Sequence, residues 1–377
     1  YHTFVPLLYQ VATAELEPEE IAYPIRKIIR KWSNVRFIRA EVTGVDTASQ
    51  IIHARGIGDI RYDYLIIAVG GSSRFFNIRG ASEYAFQLRT LNEAIALRNH
   101  ILTMFEQATC SSDPRIKRRK LTFVIIGGGP TGVEIAGTLM ELLRGPLWKD
   151  YRELNPSDAS VVLIEAKNEL LPGLPARLCE YALNRLQNMG VQVLLQKSVT
   201  EVFRDFVQLH DGERIPTETT IWTAGVRGND CIERWGMRIT HDGRVHVLPT
   251  LQLPDHHNVY VIGDSAYVED EHGMPLPMIA PVAIQEGSHA ARSILAQIDG
   301  GTPKPFRYRD VGMMVVIGRN AAAVRLNKFA FTGFSAWMLW LFVHLAKLIG
   351  FKNKLFVLIN WGMDYILRER AVRLILP

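Results

Sequence analysis

The chain has 377 residues, which is enough for two domains of typical size. With 48% hydrophobic and 21% charged residues, its composition excludes a disordered chain. The net charge of +5 lies partly in basic clusters at residues 117–120, 352–354 and 368–373. Basic groups beside apolar helices favour an anionic membrane surface, and no recognition motif supports the alternative, nucleic acid.

The three cysteines, Cys110, Cys179 and Cys231, are far apart in the sequence. They form no CxxC pair, so we expect neither a metal site nor a disulfide framework, and a reducing, intracellular setting fits. No signal peptide is visible. Because residue 1 is Tyr rather than Met, the chain as given can lack its natural start.

The first third of the chain predicts strands at residues 35–43, 50–54 and 60–64, which form a small β-meander. A buried strand follows at 64–69 and stops at Gly70. Small residues at this strand end leave room for a ligand, although a plain turn is the alternative. Helices are predicted near residues 24–32 and at 90–108, 133–143, 175–189 and 281–297.

The central motif is residues 121–137, LTFVIIGGGPTGVEIAG. An apolar β-branched run predicts a buried strand of a parallel sheet, and a helix pattern follows the glycines. Gly127 permits a tight turn, Gly129 lets the backbone approach a pyrophosphate, and Gly132 lets the helix pack close to the strand. The motif predicts dinucleotide binding; a tight strand–helix turn without a ligand is the alternative.

A second strand, residues 160–164, ends in Glu165. A carboxylate at this position accepts hydrogen bonds from the ribose hydroxyls and repels a 2′-phosphate, which favours NADH over NADPH. The acid lies further from the glycines than usual, and we interpret residues 145–159 as an inserted loop. An ordinary strand-end carboxylate is the alternative.

The second half of the chain continues with a strand at 191–195, a β-meander to residue 222 and a strand that ends in small residues before Gly225. Residues 259–264, VYVIGD, form another strand that ends in Gly263 and Asp264. A carboxylate there can hold a ribose or ribityl hydroxyl. The predicted domains are 1–115 with 240–325, an inner domain at 116–239, and a helical end at 326–377.

The C-terminal region is the most apolar part of the chain. Residues 334–351 read FSAWMLWLFVHLAKLIGF, and a second apolar run follows the basic residues 352–354. The first run is short for a membrane span. Its aromatic residues and lysines suit a helix lying in the plane of a membrane interface. A core or dimer contact is a further alternative.

These features together resemble the type II NADH:quinone oxidoreductases, single-subunit flavoenzymes of respiratory membranes. The resemblance covers nearly the whole chain. It is carried by FVPLLYQVATAELEPEEIAYPIR, YLIIAVGGSSRFFNIRGA, FVIIGGGPTGVEIAG, VVLIEA, IWTAGVR, VYVIGD and the apolar end. It implies an α/β fold with two nested Rossmann-like domains, similar to glutathione reductase, and a C-terminal amphipathic helical membrane anchor.

The chain departs from the family pattern at two places. The family begins with a βαβ unit that binds the FAD pyrophosphate, and we expect that unit upstream of residue 1. The quinone-side helix of the family carries Ala-Gln-x-Ala-x-Gln, whereas the first glutamine is replaced here by Pro281 and the second is Gln285.

The resemblance implies FAD and NADH as cofactors and a membrane quinone as electron acceptor. Glu134 would lie near the nicotinamide and flavin, Asp264 would bind the FAD ribityl chain, and Gln285 would face the quinone. A carboxylate stabilising its own helix is the alternative for Glu134. The predicted cofactor contacts are Gly127, Gly128, Gly129, Pro130, Thr131, Gly132, Glu165, Gly225, Ala68, Val69, Gly70, Gly263, Asp264 and Ala283.

Three other functions share parts of this pattern. A ferredoxin or rubredoxin reductase would have no reason to carry residues 334–366. A sulfide:quinone oxidoreductase would need cysteines near the flavin. A non-enzymatic NADH-binding module would lack FAD. We therefore predict a non-pumping NADH:quinone oxidoreductase on the cytoplasmic face of a membrane, with a homodimer as one possible assembly.

Overall fold

The computed structural model describes residues 1–367, 370 and 373–375. Most of the predicted basic cluster 368–373 lies outside these residues. Contacts divide the chain into two compact units. Unit 1 comprises residues 1–35, 75–224 and 312–377, and unit 2 comprises residues 36–74 and 225–311.

Unit 1 contains a parallel five-stranded sheet. Its strands are β1 (Ala85–Gln87), β2 (Thr122–Ile126), β3 (Ser160–Glu165), β4 (Gln192–Leu195) and β5 (Thr219–Trp222), in the order β4-β3-β2-β5-β1. Every residue of β2 is buried, which explains its unbroken apolar sequence.

Three long helices pack with this sheet in one apolar core. They are α1 (Leu91–Thr109), α2 (Pro130–Leu142) and α3 (Ala176–Met189). The expected loop at 145–159 contains short turns, among them the helical Trp148–Asp150. The remaining strands of unit 1 are His2–Thr3, Ala22–Tyr23, Val199–Val202, Phe206–Leu209, Arg214–Pro216, Met313–Val316, Ala322–Leu326 and Phe329–Thr332. The shorter helices are Leu8–Ala12, Pro18–Ile21, Ile25–Ile29, Ala81–Tyr84 and Pro114–Lys120.

Unit 2 contains the predicted meander and the two parallel strands whose ends carry the predicted FAD contacts. Strand Leu65–Ile67 lies parallel to His256–Val261, which pairs on its other side with Gln252–Leu253. The long helix is α4 (Ala280–Ile298). The other strands and the short helix are Val42–Asp46, Ile51–Ala54, Gly58–Arg61, Gly71–Ser73, Val226–Gly228, Val245–His246, Ala266–Tyr267 and Asp230–Arg234.

The compact units divide at other positions than the predicted domain boundaries. Residues 75–115 belong to unit 1 because β1 is an edge strand of its sheet and α1 packs in its core. Residues 1–35 and 312–325 also belong to unit 1 rather than to the unit of residues 240–311. The assignment of FAD and NADH to separate domains stays a prediction.

The C-terminal region forms two helices, α5 (Phe334–Lys347) and α6 (Phe351–Leu367). Trp340 and Trp361 are 1% and 8% exposed and contact each other in the core, so these two aromatic rings are not at a surface. The α6 side chain Asn353 donates to the carbonyls of Glu19, Glu20 and Ala22 at 2.8–3.1 Å. Within the described residues, no helix is both long enough and apolar enough to cross a bilayer.

Candidate active site

The glycine turn between β2 and α2 has the backbone geometry that the motif predicts. Gly127 has a φ of +111°, a conformation that side chains disfavour, and its N–H donates to the carbonyl of Ile164 at 2.8 Å. A Cβ atom on Gly132 would lie 1.9 Å from the carbonyl oxygen of Gly127. The helix can therefore approach the strand only where residue 132 is glycine.

Open space lies on the outer side of the same turn. A Cβ atom on Gly129 would have no heavy atom within 4 Å. Gly129 precedes α2, no side chain caps the helix there, and Pro130 occupies its first turn. Thr131 is exposed. The N–H groups and partial positive charge of the helix end therefore face a space that suits an anionic phosphate.

Glu165 lies directly against this turn despite the long separation in sequence. Its carboxylate accepts the N–H of Gly128 at 2.6 Å and the N–H of Lys167 at 2.9 Å. A Cβ atom on Gly128 would lie 3.0 Å from the carboxylate. The inserted residues 145–159 therefore do not displace Glu165 from the glycine turn. Its carboxylate lies where the ribose of a dinucleotide would bind. These residues fit the adenosine half of NADH.

In unit 2, the predicted FAD contacts lie at the carboxyl ends of two neighbouring parallel strands. The register pairs Val261 with Ile67, so the strand ends at residues 68–70 and 263–264 meet at one edge. The hydroxyl of Ser265 donates to the carbonyl of Gly70 at 2.9 Å. Ala68 and Val69 are exposed at this edge, which leaves them accessible to a ligand.

The turn that carries Asp264 is held by helix α4. Gly263 has a φ of +67°, and a Cβ atom there would lie 3.2 Å from the Cβ of Ala283. The N–H of Gly263 donates to the buried carboxyl of Glu286, whose burial raises its pKa to about 7. Gly225 also has a positive φ, +70°. The sequence analysis missed Glu286, because a single acid inside a helix pattern carries no separate signal.

Glu134 is half-buried on α2, one turn after the glycines. Desolvation raises the pKa of its carboxyl well above the usual value, and the backbone N–H of Val316 partly offsets this shift. A carboxyl with a raised pKa stays protonated to a higher pH than usual, and in its protonated form it can donate a hydrogen bond or a proton. Its neighbour Tyr9 was missed by the sequence analysis, although it lies within a quoted motif.

Gln285 occupies a different environment. Its side-chain amide donates to the carbonyl of Arg309 at 2.9 Å and accepts the N–H of Arg309 at 3.0 Å. These two bonds tie α4 to the segment that follows it. The amide would have to exchange them to contact a quinone, so its predicted role stays a prediction.

The family of the chain follows from its similarity to known proteins. Residues 1–287 match the family described as pyridine nucleotide-disulphide oxidoreductase. The chain is 38% identical to the type II NADH:quinone oxidoreductase Ndh of Mycobacterium tuberculosis, over 98% of this chain and 82% of the relative. The chain belongs to the type II NADH:quinone oxidoreductases. The predicted fold class, the FAD-dependent NADH:quinone oxidoreductase activity and the two cofactors are thereby confirmed.

A more distant relative and two solved structures are also similar to the chain. An internal alternative NAD(P)H-ubiquinone oxidoreductase of Arabidopsis thaliana is 29% identical, with 96% of this chain and 77% of the relative covered. The NDH2 structure from Plasmodium falciparum in complex with NADH has a TM-score of 0.90 at 19% identity, covering 100% and 92% of the two chains. A sulfide:quinone oxidoreductase from Aquifex aeolicus has a TM-score of 0.72 at 16% identity, covering 97% and 87%. These structural similarities show the fold.

A cavity of about 420 Å³ lies within unit 1, between the C-terminal helices and the end of α2. Its walls are mostly apolar and aromatic, and polar side chains gather at one end. The apolar and aromatic lining is Val316, Phe334, Trp337, Met338, Trp340, Leu341, Phe342, Leu345, Leu358, Trp361 and Tyr365. The polar lining is Tyr9, Gln10, Glu15, Thr138, Glu141, Arg319 and Asp364. The sequence analysis did not predict this cavity.

The glycine geometry predicts different consequences for two alanine variants. Gly132→Ala forces a methyl group into a carbonyl oxygen, so we expect about 1–3 kcal/mol of lost stability and weaker NADH binding. Gly129→Ala places its methyl group in open space, so the melting temperature should stay near that of the wild type while NADH binding weakens. Thermal melts and NADH titrations check both. Wild-type stability of Gly132→Ala would contradict the close packing.

Proposed function

We propose that NADH binds in unit 1 with its pyrophosphate at the turn formed by Gly127, Gly128, Gly129, Pro130, Thr131 and Gly132. The observation that carries this proposal is the open, uncapped N-terminus of α2 beside the carboxylate of Glu165. Glu165 binds the ribose hydroxyls and disfavours a 2′-phosphate.

FAD is held by residues of unit 2 at the edge where its parallel strands end. Ala68, Val69 and Gly70 pack against the cofactor, Asp264 binds its ribityl hydroxyls, and Gly225, Gly263 and Ala283 allow its close approach. When bound, FAD accepts a hydride from NADH and passes two electrons to the quinone. The positive φ values of Gly70 and Gly263 support this assignment, because such φ values favour glycine. Glycine has no side chain, so the strand ends stay open to a cofactor.

Glu134 and Gln285 are the residues we assign to the reaction itself. Glu134 orients the nicotinamide carboxamide or supplies a proton toward the quinone. The raised pKa of its carboxyl supports the second role, because only a protonated carboxyl can supply a proton. Gln285, which does not line the cavity of unit 1, is an alternative contact for the quinone once its amide leaves Arg309.

The protein lies on the cytoplasmic face of a membrane, bound through residues 334–366. Large apolar side chains on α5 and α6 are exposed, among them Phe342 at 70% and Phe351 at 82%. Lys347 and Lys352 are exposed beside them and can reach lipid phosphates. The same face could alternatively be covered in a homodimer, and vesicle binding distinguishes the two.

The first test follows both half-reactions in the FAD-loaded enzyme. Anaerobic NADH should bleach the flavin absorbance, and a quinone in detergent should restore it within a turnover. Bleaching without reoxidation by quinone would move the function to a soluble-acceptor reductase. Without any bleaching, the proposed NADH site would be wrong.

The role of Glu165 predicts a change in cofactor preference. Glu165→Gln keeps the size of the side chain and removes the charge that repels a 2′-phosphate. We expect the ratio of kcat/KM for NADPH to kcat/KM for NADH to rise about tenfold, which corresponds to about 1.4 kcal/mol. Glu180→Gln, an exposed position on α3, is the matched control. An unchanged ratio would contradict the ribose assignment.

Membrane binding predicts a loss on charging the exposed apolar face. Phe342→Glu combined with Phe351→Glu should weaken vesicle binding about 100-fold, because two buried phenyl rings contribute about 3 kcal/mol or more. Sedimentation with vesicles containing anionic lipids measures this. Ile298→Glu is the control, since that side chain is 62% exposed but lies at the end of α4. If the double variant still sediments with lipid, the membrane face is misassigned.

A further inference from the structure

The cavity of unit 1 combines an apolar entrance with a polar end. Five of its large apolar and aromatic lining residues are also exposed at the surface: Phe334 at 56%, Met338 at 47%, Phe342 at 70%, Leu358 at 52% and Tyr365 at 43%. The cavity therefore opens on the apolar face proposed to contact lipid. An apolar molecule dissolved in the bilayer can enter it without crossing water.

The inner part of the cavity offers hydrogen-bond donors to an occupant. Trp340 is 1% exposed, and its indole N–H has no acceptor among the described residues. Tyr9 is 3% exposed, and burial raises the pKa of its hydroxyl well above its usual value, so it keeps its proton. A buried N–H without a partner is costly and indicates a missing acceptor. Quinone oxygens are acceptors, and the quinone ring suits the aromatic walls.

Charge is unbalanced at the polar end. Arg370 lies 3.8 Å from Glu15, 3.5 Å from Glu141 and 3.9 Å from Asp364, measured between side-chain nitrogen and oxygen atoms. Arg319 lies 3.2 Å from Asp364. Among the described residues, three carboxyl groups thus face two guanidinium groups. One of the three carboxyls can hold a proton without leaving a cation unpaired.

Glu15 is the carboxyl best placed to hold that proton. Burial raises its pKa to about 8, with Asp364 and Glu141 adding to the shift and Arg370 and Arg319 opposing it. The side-chain amide of Gln10 donates to Glu15 at 3.1 Å and accepts the indole N–H of Trp361 at 3.0 Å. Glu15 is therefore fixed at the cavity wall.

The proposed reaction needs one proton beyond the hydride. NADH, one proton and a quinone give NAD⁺ and a quinol; NADH is oxidised, and the quinone takes up two electrons and two protons. We propose that Glu15 donates this second proton to a quinone oxygen in the cavity and is reprotonated from solvent. This inference rests on the proposed function; it assigns the proton transfer to Glu15 and leaves Glu134 with the other proposed role, orienting the nicotinamide carboxamide.

The test compares Glu15→Gln with Glu15→Asp and with Glu19→Gln, an exposed position on the neighbouring helix. Stopped-flow measures the reoxidation of NADH-reduced enzyme by a quinone between pH 6 and pH 10. In the wild type the rate should fall as pH rises through about 8, because Glu15 loses its proton. Glu15→Gln should be about 100-fold slower and lack this step, and Glu15→Asp should recover part of the rate.

Reduction of a soluble one-electron acceptor that takes up no proton should be equal in all variants. A wild-type rate and pH profile in Glu15→Gln would overturn the inference and leave the NADH:quinone activity intact. Absent quinone activity in the wild type would instead contradict the proposed function. If Glu15→Gln does not fold, infrared difference spectra of the wild type still decide. A protonated carboxyl that disappears near pH 8, is altered in Glu15→Asp and is retained in Glu19→Gln supports the inference, and its absence overturns it.

Discussion

The contact between Gly132 and the carbonyl of Gly127 is the constraint on which unit 1 depends. It brings the start of α2 against the end of β2 at a distance that no side chain allows. The helix end then points its free N–H groups at open space beside Gly129, and Glu165 closes the other side. One backbone contact thereby sets the position of both the proposed phosphate site and the proposed ribose site.

The C-terminal helices carry aromatic side chains both in the core and on an exposed apolar face. Trp340 and Trp361 lie in the core, whereas Phe342 and Phe351 of the same two helices are exposed. Asn353 holds the start of α6 through three backbone carbonyls, so the exposed apolar face does not have to supply the energy that attaches the helix. This separation leaves the outer face of the folded helices free for the proposed contact with lipid.

The sequence predicts the features that are local in the chain. The buried strand, the glycine spacing and the amphipathic helices are each contained in a short window, and the structure has them within a few residues of the predicted bounds. The polar end of the cavity could not be predicted, since it joins Glu15, Glu141 and Asp364 from distant segments. The boundaries of the compact units differ because β1, an edge strand of only three residues, carries a weak signal and fixes α1 to the sheet of unit 1.

Helix α2 extends from the proposed dinucleotide site to the polar end of the cavity. It has 13 residues and is therefore about 20 Å long at 1.5 Å per residue. Its first turn lies at the proposed dinucleotide site, and Glu134, Thr138 and Glu141 follow at spacings of four and three on one face. Thr138 bonds the carbonyl of Glu134, and Glu141 shares Arg370 with Glu15. A single helix thus carries the proposed dinucleotide site at its first turn and lines the polar end of the cavity with Thr138 and Glu141.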